Sequence, residues 1–258
     1  MSNIKSAFDN KKAFIPFVTC GDPDIHTTEK IVYEMADNGA DLIELGIPFS
    51  DPVAEGVTIQ KASRRALDNG VTTDKIFEMV MRIRKNTNIP LVFMTYANIV
   101  FSYGSEKFIS RASELNIDGI ILPDVPYEES DEFSNICSNY NIDLISLIAP
   151  TSKERIANIA KQAKGFVYCV SSLGVTGIRQ NITTDLKSII AEIRANTNIP
   201  TAIGFGISTP EQAKNMAEIA DGVIVGSAIV KICEEYKENS PKYIGRYVKE
   251  MKNALKFG

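Results

Sequence analysis

A repeated unit constrains the fold of this chain more than any other feature of its sequence. The segment IRKNTNIPLVFM, which starts at Ile83, returns 110 residues later as IRANTNIPTAIG, which starts at Ile193. Each copy reads as a helix end, a short loop and an apolar strand. A looser form, in which an acid or a glycine precedes β-rich residues, recurs as GADLIEL, NIDGIIL, NIDLISLI, AKGFVYCV and ADGVIV. Taken together the strand candidates are FIPFVT, DLIEL, LVFMTY, GIILPD, LISLIAP, FVYCVS, TAIGFG and VIVGS, eight in all, with amphipathic stretches between them. Strands so continuously apolar belong to a parallel sheet covered on both faces. Alternation with helices over about 250 residues predicts a closed (β/α)8 TIM barrel. The alternative, an open doubly wound sheet, lacks its usual signal: TCGDPD follows the first strand, with no GxGxxG or P-loop.

Residues 1–258 read as a single barrel domain, with extra helices at Asn3 to Asp9 and Ser240 to Lys256. Thr209, Pro210 and Gln212 predict an N-cap, a first-turn proline and a capping partner. At 44% hydrophobic and 23% charged residues, the chain has enough apolar side chain for a large core. A net charge of −4 with scattered cations offers no stripe for a nucleic-acid backbone. There is no apolar leader and no run long enough for a membrane span, so the expected location is cytoplasmic. Cys20, Cys137, Cys169 and Cys233 are far apart without ligand spacing and read as reduced core thiols.

Function in a barrel collects at the C-terminal ends of the strands, where two connections are unusually long, Gly46 to Val57 and Ser171 to Thr184. Loops of that length at that face are commonly lids. GFGIST and VGSAIVK each lead into a helix, so N–H groups at both helix starts are expected to face a substrate phosphate; the competing reading is a pair of tight turns. Glu44 stands among Leu42, Ile43 and Leu45. A structural glutamate there would need a cation, and no lysine or arginine occurs in any strand core. An unpaired carboxyl in low dielectric holds its proton and suits a donor near neutral pH. The sole histidine, His26, reads as a surface residue at a helix start. There is no strand lysine for a Schiff base and no His/Cys cluster for zinc. Mg²⁺ held by Glu44, Asp51, Glu55 and Asp124 is the less favoured alternative; the expectation is that no metal and no cofactor is used. What remains is acid/base chemistry by carboxylates on a phosphorylated substrate, with Tyr96 and Tyr168 either participating or simply packing the barrel.

PFVTCGDPD, ELGIPFSDPVAEG, MTYAN, DVPYEES, SSLGVTG, GFGIST and VGSAIVK, in that order and spacing from about Phe8 to Lys231, resemble the tryptophan synthase alpha subunits. The resemblance implies retro-aldol cleavage of indole-3-glycerol phosphate to indole and glyceraldehyde 3-phosphate, in tryptophan biosynthesis. The family's essential glutamate falls on Glu44, as proton donor to indole C3 and base toward the glycerol hydroxyl. Its second acid, which accepts or holds the indole N–H, falls on Glu55, where the family pattern most often has aspartate. Phe17, Met94, Tyr96, Ile121, Tyr168 and Phe205 fall on the indole pocket, and Gly177, Gly206, Gly226 and Ser227 on phosphate positions. Thr176 matches a lid threonine that contacts the second acid. Pro48, Asp51 and Asn98 match positions at or near the interface with a beta subunit, in a complex of two alpha and two beta chains. Three alternatives stay open at this point: a phosphosugar isomerase or epimerase, a free-standing indole-glycerol-phosphate lyase, and a catalytically weakened allosteric partner of the beta subunit.

Overall fold

The computed structural model describes residues 2–170, 181–204 and 206–257. Among these residues nine parallel strand segments form one sheet in the order β5-β4-β3-β2-β1-β9-β8-β7-β6. They are β1 Ala13–Thr19, β2 Ile43–Gly46, β3 Leu91–Met94, β4 Gly119–Ile121, β5 Asp143–Leu144, β6 Ser146–Ile148, β7 Val167–Val170, β8 Thr201–Gly204 and β9 Gly222–Val225. The two ends of this order, β5 and β6, are consecutive in the chain and separated only by Ile145. The first half of the strand pairs with β4 and the second with β7, while the Ile145 N–H continues the ladder to Ile120 O at 2.9 Å. The barrel therefore closes through one residue, and the predicted fifth strand is two segments. β1 makes a similar handover: it registers with β9 from Ala13 to Pro16 and with β2 from Phe17 to Thr19. Its proline, which cannot donate to a ladder, falls where one pairing ends.

Alternation sorts the side chains into two cores. Phe14, Ile43, Leu45, Phe93, Ile120 and Ile203 face outward against the helices, whereas Ile15, Leu42, Val92, Ile121, Phe166 and Ala202 fill the barrel interior. Both faces are buried, which is why the strands carry almost no polar residue. The surrounding helices include α1 Ile25–Asp37, α2 Val57–Asp68, α3 Thr73–Ile83, α4 Ala97–Tyr103, α5 Ser105–Glu114, α6 Asp131–Asn139, α7 Lys153–Gln162, α8 Asn181–Asn196, α9 Pro210–Ala217, α10 Ser227–Tyr236 and α11 Ser240–Ala254. The expected N-terminal helix is a single 3-10 turn, Ile4–Ala7. α8 starts at Asn181, inside the segment expected to be loop through Thr184. Among the described residues no helix is long and apolar enough to cross a membrane.

The sequence repeat has a physical function at the N-terminal face. Asp118, just before β4, brackets Leu91 of β3: its backbone N–H donates to Leu91 O at 2.8 Å and its Oδ2 accepts the Leu91 N–H at 3.0 Å. Asp221 brackets Thr201 in the same way, and Asp41 brackets Phe14. The arginines of the two repeat copies hold two of these acids, Arg84 on Asp118 at 3.4 Å and Arg194 on Asp221 at 3.0 Å. Thr87 and Thr197 accept the N–H of Ile89 and Ile199 at 3.2 and 3.3 Å, closing the turn before each strand. The recurring acid thus satisfies a strand-start donor that would otherwise be orphaned, at the N-terminal ends of the strands.

Candidate active site

Glu44 lies near the C-terminal end of β2, in register with Phe17 and Val92. The alternation that turns Ile43 and Leu45 outward turns its carboxyl into the barrel, where it is 1% exposed. Among the described residues its Oε2 has no hydrogen-bond partner. Burial pushes its pKa up to about 8, and the neighbouring Glu55 adds to the rise. The carboxyl is therefore predominantly protonated at neutral pH, a donor in an apolar chamber.

Glu55 arrives by a different route. The connection from β2 to α2 rises over the barrel mouth and is pinned on Tyr96 by two contacts. The Phe49 ring packs on the tyrosine ring with centroids 5.1 Å apart, and the Ala54 N–H donates to the Tyr96 hydroxyl at 3.2 Å. Glu55, the next residue, is half-buried. Burial raises its carboxyl to about 7, with the Tyr96 hydroxyl opposing the rise, and its Oε2 is likewise unpartnered among the described residues. Two neighbouring acids raised to different extents make a coupled donor and acceptor around neutral pH.

The wall around them is the apolar interior. Phe17, Met94, Ile121 and Tyr168 all belong to the inner cluster, and Tyr96 is 1% exposed. Tyr168 is held well above the ordinary phenol range by burial and then by the Glu44 carboxyl, so the two groups share one chamber. Glycines make that chamber possible. A Cβ on Gly46 would stand 2.4 Å from the Phe17 ring, and one on Gly204 would stand 2.5 Å from the Tyr168 hydroxyl oxygen.

The two glycine motifs differ from expectation in one respect. The start of α9 is closed by its own capping box: Thr209 accepts from the Gln212 N–H, and the Gln212 side chain accepts from Thr209 N and Ser208 N. Those donors are already used, so that helix start is not an open anion site. α10 is different. Its N-cap is Gly226 with no side-chain cap, beside the Phe17 ring, and Ser227 opens the helix exposed to solvent. Gly206, at φ +78, lies before the capped turn and is exposed. Thr176, Gly177 and Phe205 lie outside the described residues. Of the expected interface positions, Asp51 and Asn98 are exposed and Pro48 is buried.

His26 is exposed in the first turn of α1, and all four cysteines are free and buried. No group of three His, Cys, Asp or Glu residues among those described is arranged to hold a metal ion. Asp124, grouped with such ligands on sequence grounds, is engaged elsewhere: both its oxygens lie 3.1 Å from the Ala97 N–H at the start of α4. Sequence reasoning missed this role. The signal available was spacing, since Asp124 stands 27 residues from Ala97 as Asp118 does from Leu91.

Comparison with known proteins gives the family and the fold. The family model described as tryptophan synthase alpha chain matches residues 2–256. The chain is 51% identical over 255 residues to the tryptophan synthase alpha chain of Lacticaseibacillus casei, covering 99% of this chain and 96% of that one. A crystal structure of tryptophan synthase subunit alpha from Legionella pneumophila superposes with a TM-score of 0.90 at 36% identity, covering 100% of both chains. A chain from a study of mutual activation in the Pyrococcus furiosus tryptophan synthase α2β2 complex matches with a TM-score of 0.86 at 37% identity, covering 93% of this chain and 98% of that one.

Proposed function

Because this chain belongs to the tryptophan synthase alpha chain family, we propose that it cleaves indole-3-glycerol phosphate to indole and glyceraldehyde 3-phosphate with Glu44 and Glu55 as its acid/base pair. The observation that carries this reading is the buried Glu44 carboxyl, unpartnered at Oε2 among the described residues and raised to about 8 beside a second acid. In the reaction Glu44 gives its proton to indole C3 while Glu55 takes the proton from the ring nitrogen. The product is a 3H-indole whose C=N bond can accept electrons. Glu44, now a carboxylate, removes the proton of the glycerol hydroxyl adjacent to the ring. The bond from C3 to the glycerol chain breaks, its electron pair returns to the ring, and Glu55 returns the proton to nitrogen. Both acids regain their starting states, and the indole ring itself is the electron sink.

Phe17, Met94, Ile121 and Tyr168 supply a dry slot for the indole, and the uncapped start of α10 at Gly226 and Ser227 supplies N–H groups for the phosphate. Gly206 adjoins it. Thr176, Gly177 and Phe205 keep the roles the family resemblance implies.

The same reading makes the chain an alpha subunit that pairs with a beta subunit, two of each. Among the described residues four large apolar side chains are well exposed, and three of them, Val53, Val57 and Phe101, lie on the β2–α2 connection, the first turn of α2, and α4. They accompany Asp51 and Asn98, as expected of a face that a partner covers. Free buried thiols support a cytoplasmic location. The test is to supply indole-3-glycerol phosphate to the chain alone and with a beta subunit. Indole should form in both cases, faster with the partner; no indole in either would overturn the proposal.

A further inference from the structure

One contact above the barrel mouth is unexplained by the chemistry so far. Asp124 ends the segment after β4, is exposed to solvent, and spends both carboxylate oxygens on a single donor, the Ala97 N–H, at 3.1 Å each. Ala97 opens α4, whose N-cap is Tyr96, and Tyr96 has no side-chain cap of its own to offer. An orphaned first-turn N–H is thus satisfied from the neighbouring strand, where negative charge also complements the helix dipole. The residue immediately before that N–H is the tyrosine that pins the Glu55 loop, through Phe49 and through the Ala54 N–H.

We propose that Asp124 is a positioning residue for Glu55: it fixes the Tyr96–Ala97 turn, the turn fixes the Tyr96 hydroxyl, and the hydroxyl holds Ala54 and with it the adjoining acid. The geometry is a mirror of the N-terminal face. Asp118 holds the first residue of β3, Leu91, and Asp124 holds Ala97, the residue at which the chain leaves the mouth, both across 27 residues. The lower bracket secures the fold, and the upper one secures an element of the active site. The inference rests on Glu55 being the second acid.

The experiment uses the full-length chain carrying Asp124→Ala, Asp124→Asn, Tyr96→Phe and the Asp124→Ala/Tyr96→Phe pair. Asp124 is exposed, so the fold is expected to survive, and far-UV circular dichroism checks that it does. In Asp124→Ala, kcat for indole release should fall roughly tenfold or more with KM within about threefold, because misplacement by about 1 Å can lose about 10²-fold. Asp124→Asn, which keeps an oxygen acceptor, should recover most of the loss. The double variant should be no worse than Tyr96→Phe alone within about twofold, since both act through one link. Amide hydrogen exchange provides a readout independent of turnover: Ala54 as well as Ala97 should exchange faster in Asp124→Ala. If wild type releases no indole, the catalytic reading fails while the exchange arm still reports on the link. Losses that multiply in the double variant, no rescue by asparagine, or unchanged exchange at Ala54 would overturn the proposal.

Discussion

Replacing Glu44 by glutamine should change how stability depends on pH, by an amount the structure allows to be worked out. The carboxyl ionises at about 8 in the fold against 4.5 ordinarily. Between those values the folded chain keeps a proton that the unfolded chain has given up. Folded protein then binds more protons than unfolded, so stability is greatest below the lower value and declines as pH rises toward the upper one. At about 1.4 kcal/mol for each pH unit of difference, Glu44 alone should remove about 3 kcal/mol between about pH 5 and pH 8. Glu55 and Asp143 are also raised and act in the same sense, so the informative quantity is the difference between wild type and Glu44→Gln. The assay is urea unfolding at a series of pH values across that window. The glutamine variant should gain on wild type steadily as pH rises, by a few kcal/mol at the alkaline end. A gap that stays constant, or one that closes with rising pH, would refute a buried carboxyl without a compensating partner.

Further outcomes follow from the same geometry. Glu55→Ala should nearly abolish indole release, while Glu55→Asp should lower or at best preserve it in steady-state assay; a rise of tenfold or more with aspartate would mean that glutamate is a weakened substitute here. The isolated chain is expected to be a weakly active monomer stimulated by a cognate beta subunit that orders the β2–α2 connection, which sizing and an activity titration check; no complex and no stimulation would contradict it. Asp118→Ala leaves the Leu91 and Asn3 N–H groups without their acceptor and takes the carboxylate from Arg84, which keeps its carbonyl acceptors at Leu115, Ile89 and Asn116, so it should destabilise by about 1–3 kcal/mol in thermal unfolding while kcat stays within about twofold; a large loss of kcat with unchanged stability would count against the two-face division.

Much of this was readable in the residues because each signal was local. Glu44 announced itself by isolation: a lone acid in an apolar strand, in a chain with no cation in any strand core. The capping box at Thr209 followed from three neighbouring letters. The repeat around Ile83 and Ile193 was visible as text, yet its meaning was not. Arg84 and Arg194 hold the acids just before β4 and β9, and these acids bracket residues 27 and 20 positions away, a pairing that exists only once the strands are side by side. The break at Ile145 has the same cause, since a continuous apolar run does not record which neighbour each half will pair with. The capped start of α9 shows that a local signal can be read correctly and its consequence overlooked: the hydrogen bonds that mark the helix start also occupy the donors an anion would have used. Asp124 was the hardest to read, because its one mark in the sequence, the 27-residue spacing to Ala97 that Asp118 keeps to Leu91, gains meaning only once β3 and β4 are paired.

The most direct measurement of the central claim is single-turnover cleavage of indole-3-glycerol phosphate by Glu44→Gln, paired with substrate binding. Glutamine keeps the shape of the side chain and removes its proton transfer. Indole formation should be lost while affinity stays within about tenfold, a difference of about 1.4 kcal/mol. Cleavage above about a tenth of the wild-type rate would show that the proton reaching the indole ring comes from somewhere other than Glu44, and would contradict the account.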